Sequence, residues 1–229
     1  PVNMMGASKR IMELYLMKYS SQIKISTARF ANVAFSDGSL LQGFTKRIEK
    51  KQPIAAPNDV KRYFVTSKES GELCLMSCLF GDNMDVFFPK LSEELDLIKL
   101  SSIARNYLES LGYEAFECSS EEEAREKTQE LIKLDKWPCL FSGSDTTGEK
   151  GFEEFYTESE TLDLNRFSNL GIIKNEFTNN EVLVEQFRTE IEQYKKNRTW
   201  SKADIVTLFK KILPGFNHIE MGKNLDAKM

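Results

Sequence analysis

Arg62 and the pair Gly38-Ser39 are where this chain is best equipped to hold an anion. A guanidinium is planar, permanently charged and able to engage two phosphate oxygens at once. Arg62 stands in the segment Pro57-Asn58-Asp59-Val60-Lys61-Arg62-Tyr63-Phe64. Ser36-Asp37-Gly38-Ser39 supplies turn chemistry and a helix N-cap ahead of Leu40, and the N–H groups of a first helical turn favour a diphosphate. Asn32 follows a strand-like stretch and offers an amide donor to a phosphate or sugar oxygen, although an asparagine there is also an ordinary turn residue. Metal chemistry has little to draw on: the single histidine, His218, lies in a polar tail. No metal site is expected.

The elements that must position these residues alternate between α and β. Residues 3–20 carry Met4, Met5, Ile11, Met12, Leu14, Tyr15, Leu16 and Met17, a buried-helix pattern. Ile23 to Phe30 alternates as a strand entering an interior. A helix runs through Leu40, Leu41, Phe44 and Ile48, and another spans Ser67 to Leu79 with Ser67 as its cap. Further on, Met84–Phe88 reads as a strand, Leu97–Leu111 as a helix closed by Gly112, and Tyr113–Cys118 as a strand. Glu121–Leu134 reads as one amphipathic helix. Leu140 to Ser142 leads into a loop over 144–151, and Phe152 to Phe155 begins a helical segment. Beyond about residue 165 the strand signal fades; Asn180–Lys196 and Ser201–Leu213 read as helices before a frayed end.

With 229 residues, 41% apolar and 29% charged, the composition is that of a soluble globular protein. A net charge of −4 gives no general attraction to nucleic acid or to an anionic membrane. Apolar runs such as Asp85-Val86-Phe87-Phe88-Pro89 are too short to cross a bilayer, so a cytoplasmic location is expected. Four cysteines form no disulfide framework; Cys74 and Cys78, at i,i+4 spacing, and Cys118 and Cys139 read as reduced, buried thiols. The chain opens Pro1-Val2-Asn3 without methionine or a glycine-rich strand-to-helix turn, which suggests a fragment.

Five ordered motifs carry a family resemblance: Asn3-Met4-Met5-Gly6-Ala7-Ser8-Lys9-Arg10, Ala28-Arg29-Phe30-Ala31-Asn32-Val33, Ser36-Asp37-Gly38-Ser39-Leu40, the Arg62 segment with Glu69, and Thr146-Thr147-Gly148-Glu149-Lys150-Gly151-Phe152-Glu153-Glu154. In order and spacing they resemble the extended short-chain dehydrogenases that act on nucleotide sugars, and within these the UDP-N-acetylglucosamine 4,6-dehydratases of polysaccharide biosynthesis. The resemblance spans residues 1–160. It implies the C-terminal part of a Rossmann-type α/β fold, with residues 1–35 completing an NAD(P)-binding domain, 36–165 binding the nucleotide sugar, and 166–229 forming a helical extension.

The resemblance also implies roles. Lys9 corresponds to the lysine of the family's YxxxK helix, where it holds the nicotinamide ribose, and Met5 occupies the tyrosine position, where a thioether can exchange no proton. Arg29, Phe30 and Ala31 fall on the side of the NAD or NADP cofactor. Asn32, Ser36, Gly38, Ser39, Leu40, Arg62 and Glu149 fall on the side of the UDP-sugar, Glu149 accepting hydrogen bonds from the uridine ribose. Thr146 stands where the family usually has arginine, which removes one phosphate cation. Acid–base residues are implied in a Thr-Asp-Lys segment before the helix, upstream of Pro1. The implied activity is that of a cytoplasmic, homo-oligomeric hydro-lyase, with the fragment alone inactive. A nucleotide-sugar 4-epimerase is the rival among enzymes, disfavoured by Met5; a non-catalytic nucleotide-sugar-binding protein is the rival if the chain is complete.

Overall fold

The computed structural model describes residues 1–91, 97–144, 154–175 and 181–218. Its first helix, α1 (Met4–Lys18), opens on an Asn3 cap that accepts from the Gly6 N–H. The interior stretch predicted as a strand over 23–30 pairs only at β1 (Thr27–Ala28), which runs parallel to β6 (Asp85–Pro89). Before it, Ile25 N–H is taken by the Asn83 side chain and Ile25 C=O accepts from Met84, so loop contacts replace a longer ladder. Two-residue β2 (Asn32–Val33) leads to α2 (Leu40–Glu49), capped by Ser39 as its sequence predicts.

β3 (Ile54–Pro57), β4 (Lys61–Arg62) and β5 (Phe64–Val65) precede α3 (Ser67–Phe80). The cap of α3 is Thr66 rather than Ser67, because Thr66 and Glu69 form a reciprocal capping box. β7 (Ile98–Lys99) takes the first residues expected of the next helix, so α4 covers Leu100–Ser110 and closes before Gly112 at φ 84°. β8 (Glu114–Glu117) follows. The single helix expected over 121–134 is two: α5 (Glu121–Glu126) and α6 (Thr128–Ile132). Thr128 Oγ1 donates to the Ala124 carbonyl at 2.6 Å, the acceptor that its own N–H would use in a continuous helix. β9 (Lys136–Ser142) ends this half.

The fading strand signal beyond 165 is overturned. β10 (Thr161–Asp163) and β11 (Leu170–Lys174) complete a four-stranded sheet in the order β1-β6-β11-β10, with β11 antiparallel to β6 across its whole length. β6 and β11 are buried on both faces, where no alternation of polar residues announces a strand. On one face Phe87 and Ile172 pack with Leu73 of α3; on the other Val86, Phe88 and Ile173 pack with Met17 of α1 and Phe155. A buried carboxylate, Asp85, pairs with Lys174 at 2.9 Å across the same ladder. The helical start expected at 152–155 falls largely outside the described residues; Glu154 and Phe155 are not helical.

A second, all-parallel sheet, β3-β9-β8, forms the core around Ile54, Trp137 and Cys139 with Phe44 of α2 and Leu108 of α4. Two short ladders, β2/β5 parallel and β4/β7 antiparallel, make up the remaining strand pairing among the described residues. α7 (Glu181–Asn197) and α8 (Lys202–Ile212) cover Ala7 and Ile11 of α1 through Val184, Phe209 and Ile212. All four cysteines are free; Cys118 and Cys139 are buried as expected, but Cys74 and Cys78 are exposed, since α3 turns Leu73 and Ser77, one position back on the helix, to the interior.

Gly171 shows how tightly β11 belongs to the sheet. A Cβ there would overlap the Phe88 ring, whose two Cε atoms lie 2.7 Å from its position. Gly171→Ala is expected to destabilise the protein by about 1–3 kcal/mol through overpacking, read as a shift of the urea midpoint; an unchanged midpoint would remove β11 from the core.

Candidate functional site

The segment from Ala28 to Leu40 gathers most of the expected site residues. Phe30 is exposed and Ala31 buried. Asn32 enters β2, where its N–H and its side-chain Nδ2 both donate to the Tyr63 carbonyl at 3.2 Å. Parallel pairing then sets Asn32 opposite Phe64 and Val33 opposite Val65, so the Asn32 strand and the Arg62-Tyr63 segment are neighbours through backbone geometry. Arg62 pairs antiparallel with Ile98, is half-buried, and donates from Nη1 to the Lys61 carbonyl at 2.8 Å.

The turn into α2 is built by its own side chains. Ser36 Oγ donates to the Val33 carbonyl, Gly38 takes φ 73°, a conformation open to glycine at no steric cost, and Gly38 N–H donates to Gln42 Oε1. Gln42 in turn donates to Asp37 Oδ1 at 2.7 Å, and Ser39 Oγ accepts the Gln42 N–H. Leu40 and Leu41 supply the remaining N–H groups of the first turn. Asn58 N–H donates to Ser142 O and the Asp59 carboxylate accepts the Ser144 N–H, which ties the start of the Arg62 segment to the stem that leads into residues 145–153. Thr146, Glu149 and Lys150 lie outside the described residues.

On α1, Met5 and Lys9 both face outward, Met5 with 66% of its surface exposed. Among the described residues Lys9 makes no ion pair. Arg29 behaves differently: its guanidinium is bonded within the protein. Its Nε and Nη2 donate to the two carboxylate oxygens of Glu13, its Nη1 and Nη2 to those of Glu160, and Nη1 also to the Phe155 carbonyl, with all five contacts between 2.8 and 3.2 Å. A guanidinium has five N–H donors; here each is spent inside the protein.

Arg10 completes the cluster, 2.5 Å from Glu13 and 3.7 Å from Glu160, making it two cations on two carboxylates. Burial pushes the Glu13 and Glu160 carboxyls up, but hydrogen bonds and charge from Arg29, reinforced by Arg10, reverse that and leave both below the usual carboxylate range. Burial opposes the charge of Arg29, and the two glutamates more than restore it.

Glu13, Glu160, Phe155 and Tyr63 carry much of this geometry and are not visible as site residues in the sequence. Glu13 had one signal, an acid between Met12 and Leu14 in an apolar run. Glu160 is 131 positions from Arg29 and had none. A depression of about 520 Å³ lies away from all these residues, lined by Lys18, Glu181, Glu185 and Glu190 among others; its excess of carboxylates suits no diphosphate. Among the described residues no group of three side chains could hold a metal ion, and no helix is long and apolar enough to cross a membrane.

Residues 1–175 match the model of the family described as polysaccharide biosynthesis protein. The chain belongs to that family. Its members are extended short-chain dehydrogenases, in line with the mixed α/β architecture and its parallel strands. Similar relatives include the "Probable polysaccharide biosynthesis protein EpsC" of Bacillus subtilis (strain 168), 29% identical over 163 residues, which are 70% of this chain and 23% of that protein. The capsular polysaccharide biosynthesis protein CapD of Staphylococcus aureus is 28% identical over 164 residues, 70% of this chain and 24% of CapD. The chain thus spans about a quarter of the length of these two relatives. Among solved structures, Pen from Bacillus thuringiensis superposes with a TM-score of 0.55 at 19% identity, covering 83% of this chain and 57% of that one, a likeness of fold.

The bonding of Glu13 and Glu160 has a consequence for acid stability. Both carboxyls are held below their unfolded value of about 4.3, so their contribution is present above that pH and is lost as pH falls through the folded values. Urea unfolding of the Glu13→Gln/Glu160→Gln variant is expected to vary less between pH 6 and pH 3 than that of the wild type. Parallel pH profiles would show that the pair titrates alike folded and unfolded.

Proposed function

We propose that this protein acts as an NAD(P)-dependent nucleotide-sugar 4,6-dehydratase, converting UDP-N-acetylglucosamine to a 4-keto-6-deoxy sugar nucleotide for surface polysaccharide or glycan synthesis. The observation that carries the reading is the combination on α1 of Lys9, outward-facing and without an ion pair among the described residues, with a methionine one turn earlier. Bound NAD or NADP would supply the temporary hydride acceptor that lets the sugar C4 be oxidised and C6 later be reduced. Lys9, with three donors, fits the cofactor's ribose hydroxyls. Arg29 does not fit it, its donors being spent, so the cofactor side of this strand is left to Phe30 and Ala31.

The sugar would lose the C5 proton and expel the C6 hydroxyl as water once C4 is a ketone; hydride then returns to C6 and a proton to C5. A base that keeps exchanging the C4 hydroxyl proton is the need of an epimerase, and Met5 cannot meet it. On the nucleotide side, Asn32, Ser36 and the Gly38-Ser39-Leu40 turn would approach the diphosphate and sugar, Arg62 would pair with the diphosphate, and Glu149 would accept from the ribose. The exposed Met12 and Leu16 of α1, with Tyr19 just beyond its end, support pairing with a second copy of the chain.

Incubating the full-length protein with UDP-N-acetylglucosamine and following the sugar by NMR tests the reading. A 4-keto-6-deoxy product is expected, and Met5→Leu should retain turnover without the 10²–10⁴-fold loss that follows removal of a general acid–base group. A C4 epimer, or binding without turnover, would overturn it. In calorimetry, Arg62→Ala should weaken UDP-N-acetylglucosamine binding by roughly 1.5–3 kcal/mol, the value of a charged hydrogen-bonded pair; unchanged affinity would remove Arg62 from the site.

A further inference from the structure

We infer that Glu160, acting through Arg29, is a positioning residue that fixes the Lys9 helix relative to the Asn32 and Arg62 strands. Three contacts carry the inference. Arg29 grips Glu13 bidentately, at 2.9 Å on both oxygens, and Glu13 lies four residues, one helical turn, after Lys9. A bidentate grip there fixes the rotation of α1 about its axis and hence the direction in which Lys9 projects. Arg29 itself sits three residues before Asn32, in the short stretch that joins β1 to β2.

The second contact runs through Phe155. Arg29 Nη1 holds its carbonyl at 2.8 Å, and its ring lies 5.6 Å from that of Tyr63 and stacks on Phe88 at 6.4 Å. Tyr63 is the residue whose carbonyl receives both donors of Asn32, and it follows Arg62 directly. The chain of contact therefore runs from the Lys9 helix through Glu13, Arg29 and Phe155 to Tyr63, Asn32 and Arg62. Glu160 closes it: its carboxylate takes two donors of Arg29 and also accepts the Thr157 N–H at 2.8 Å, which fastens the turn that presents Phe155. With Glu160 gone, Arg29 is left with two unpaired N–H donors in a largely enclosed setting, and both helix and turn lose their common reference.

This role rests on the dehydratase reading for its catalytic consequence, and the test separates the two. Glu160→Gln and Glu160→Asp are made in the full-length protein. Turnover and KM with UDP-N-acetylglucosamine are measured, together with amide hydrogen exchange at residues 32–34 and 63–65. Because misplacing reacting groups by about 1 Å can cost on the order of 10²-fold, Glu160→Gln should lower kcat at least tenfold with KM within about threefold. Glu160→Asp, keeping the charge, should recover part of kcat. A Glu160→Gln kcat within twofold of wild type would overturn the positioning role even if the protein melted earlier. Should the wild type fail to turn over UDP-N-acetylglucosamine, the functional reading falls; faster exchange at 32–34 and 63–65 in Glu160→Gln would then still support the structural coupling, and unchanged exchange would overturn it.

Discussion

Taking a guanidinium out of water between a helix, a strand and a loop is costly unless every donor finds an acceptor. Arg29 meets that condition with two carboxylates and one carbonyl drawn from two distant places in the chain: Glu13 on α1, and Phe155 with Glu160 beyond residue 150. The positions of those acceptors are therefore not independent. Once Arg29 is fixed at the end of β1, the rotation of α1 and the path of the chain entering β10 are fixed with it. Met17 and Phe155, which cover one face of the β6/β11 ladder, are placed by the same constraint. Polar pairing here sets geometry, and apolar burial supplies the stability.

Apolar burial gathers around β6 and β11, around β3, β9 and β8, and between α1, α7 and α8. Asn32 and Arg62 belong to neither sheet. They occupy the two-residue ladders β2/β5 and β4/β7, where the chain passes between larger sheets. Such short pairings fix the backbone through a few hydrogen bonds and leave both side chains half-buried. The Gly38–Ser39 turn follows directly from β2, so the first turn of α2 inherits its placement from the same ladder.

Local signals in the sequence translate well into structure. Ser39 caps α2 and Gly112 closes α4, and each works through atoms within four residues of itself. Signals that depend on a neighbour in space fail in proportion to its distance in sequence. β11 is unreadable because Leu170-Gly171-Ile172-Ile173-Lys174 is short, contains a glycine, and is buried on both faces; only the Phe88 ring explains why that glycine belongs in a strand. Cys74 and Cys78 face outward against expectation because i,i+4 spacing says that two residues share a face without saying which face. Arg62 and Ser39 are picked out by side-chain chemistry alone, as a planar cation and a helix cap, whereas Glu160 is readable only once Arg29 is seen in three dimensions.

Arg29 and Met5 show what resemblance transfers and what it leaves open. Both sit in motifs shared with nucleotide-sugar dehydrogenases, and for both the motif suggests a place beside the cofactor. A motif records residue type at a position, whereas a role depends on which atoms remain available. The thioether of Met5 has no proton to exchange whatever surrounds it, so chemistry alone limits it to shaping its surroundings. Arg29 has five donors, and only its surroundings show that they are spent. Lys9, between them in the same motif set, keeps its donors outward. In this chain the shared motifs hold one cation that faces outward and one whose donors are all spent within the protein, and the difference is made by two glutamates that no motif contains.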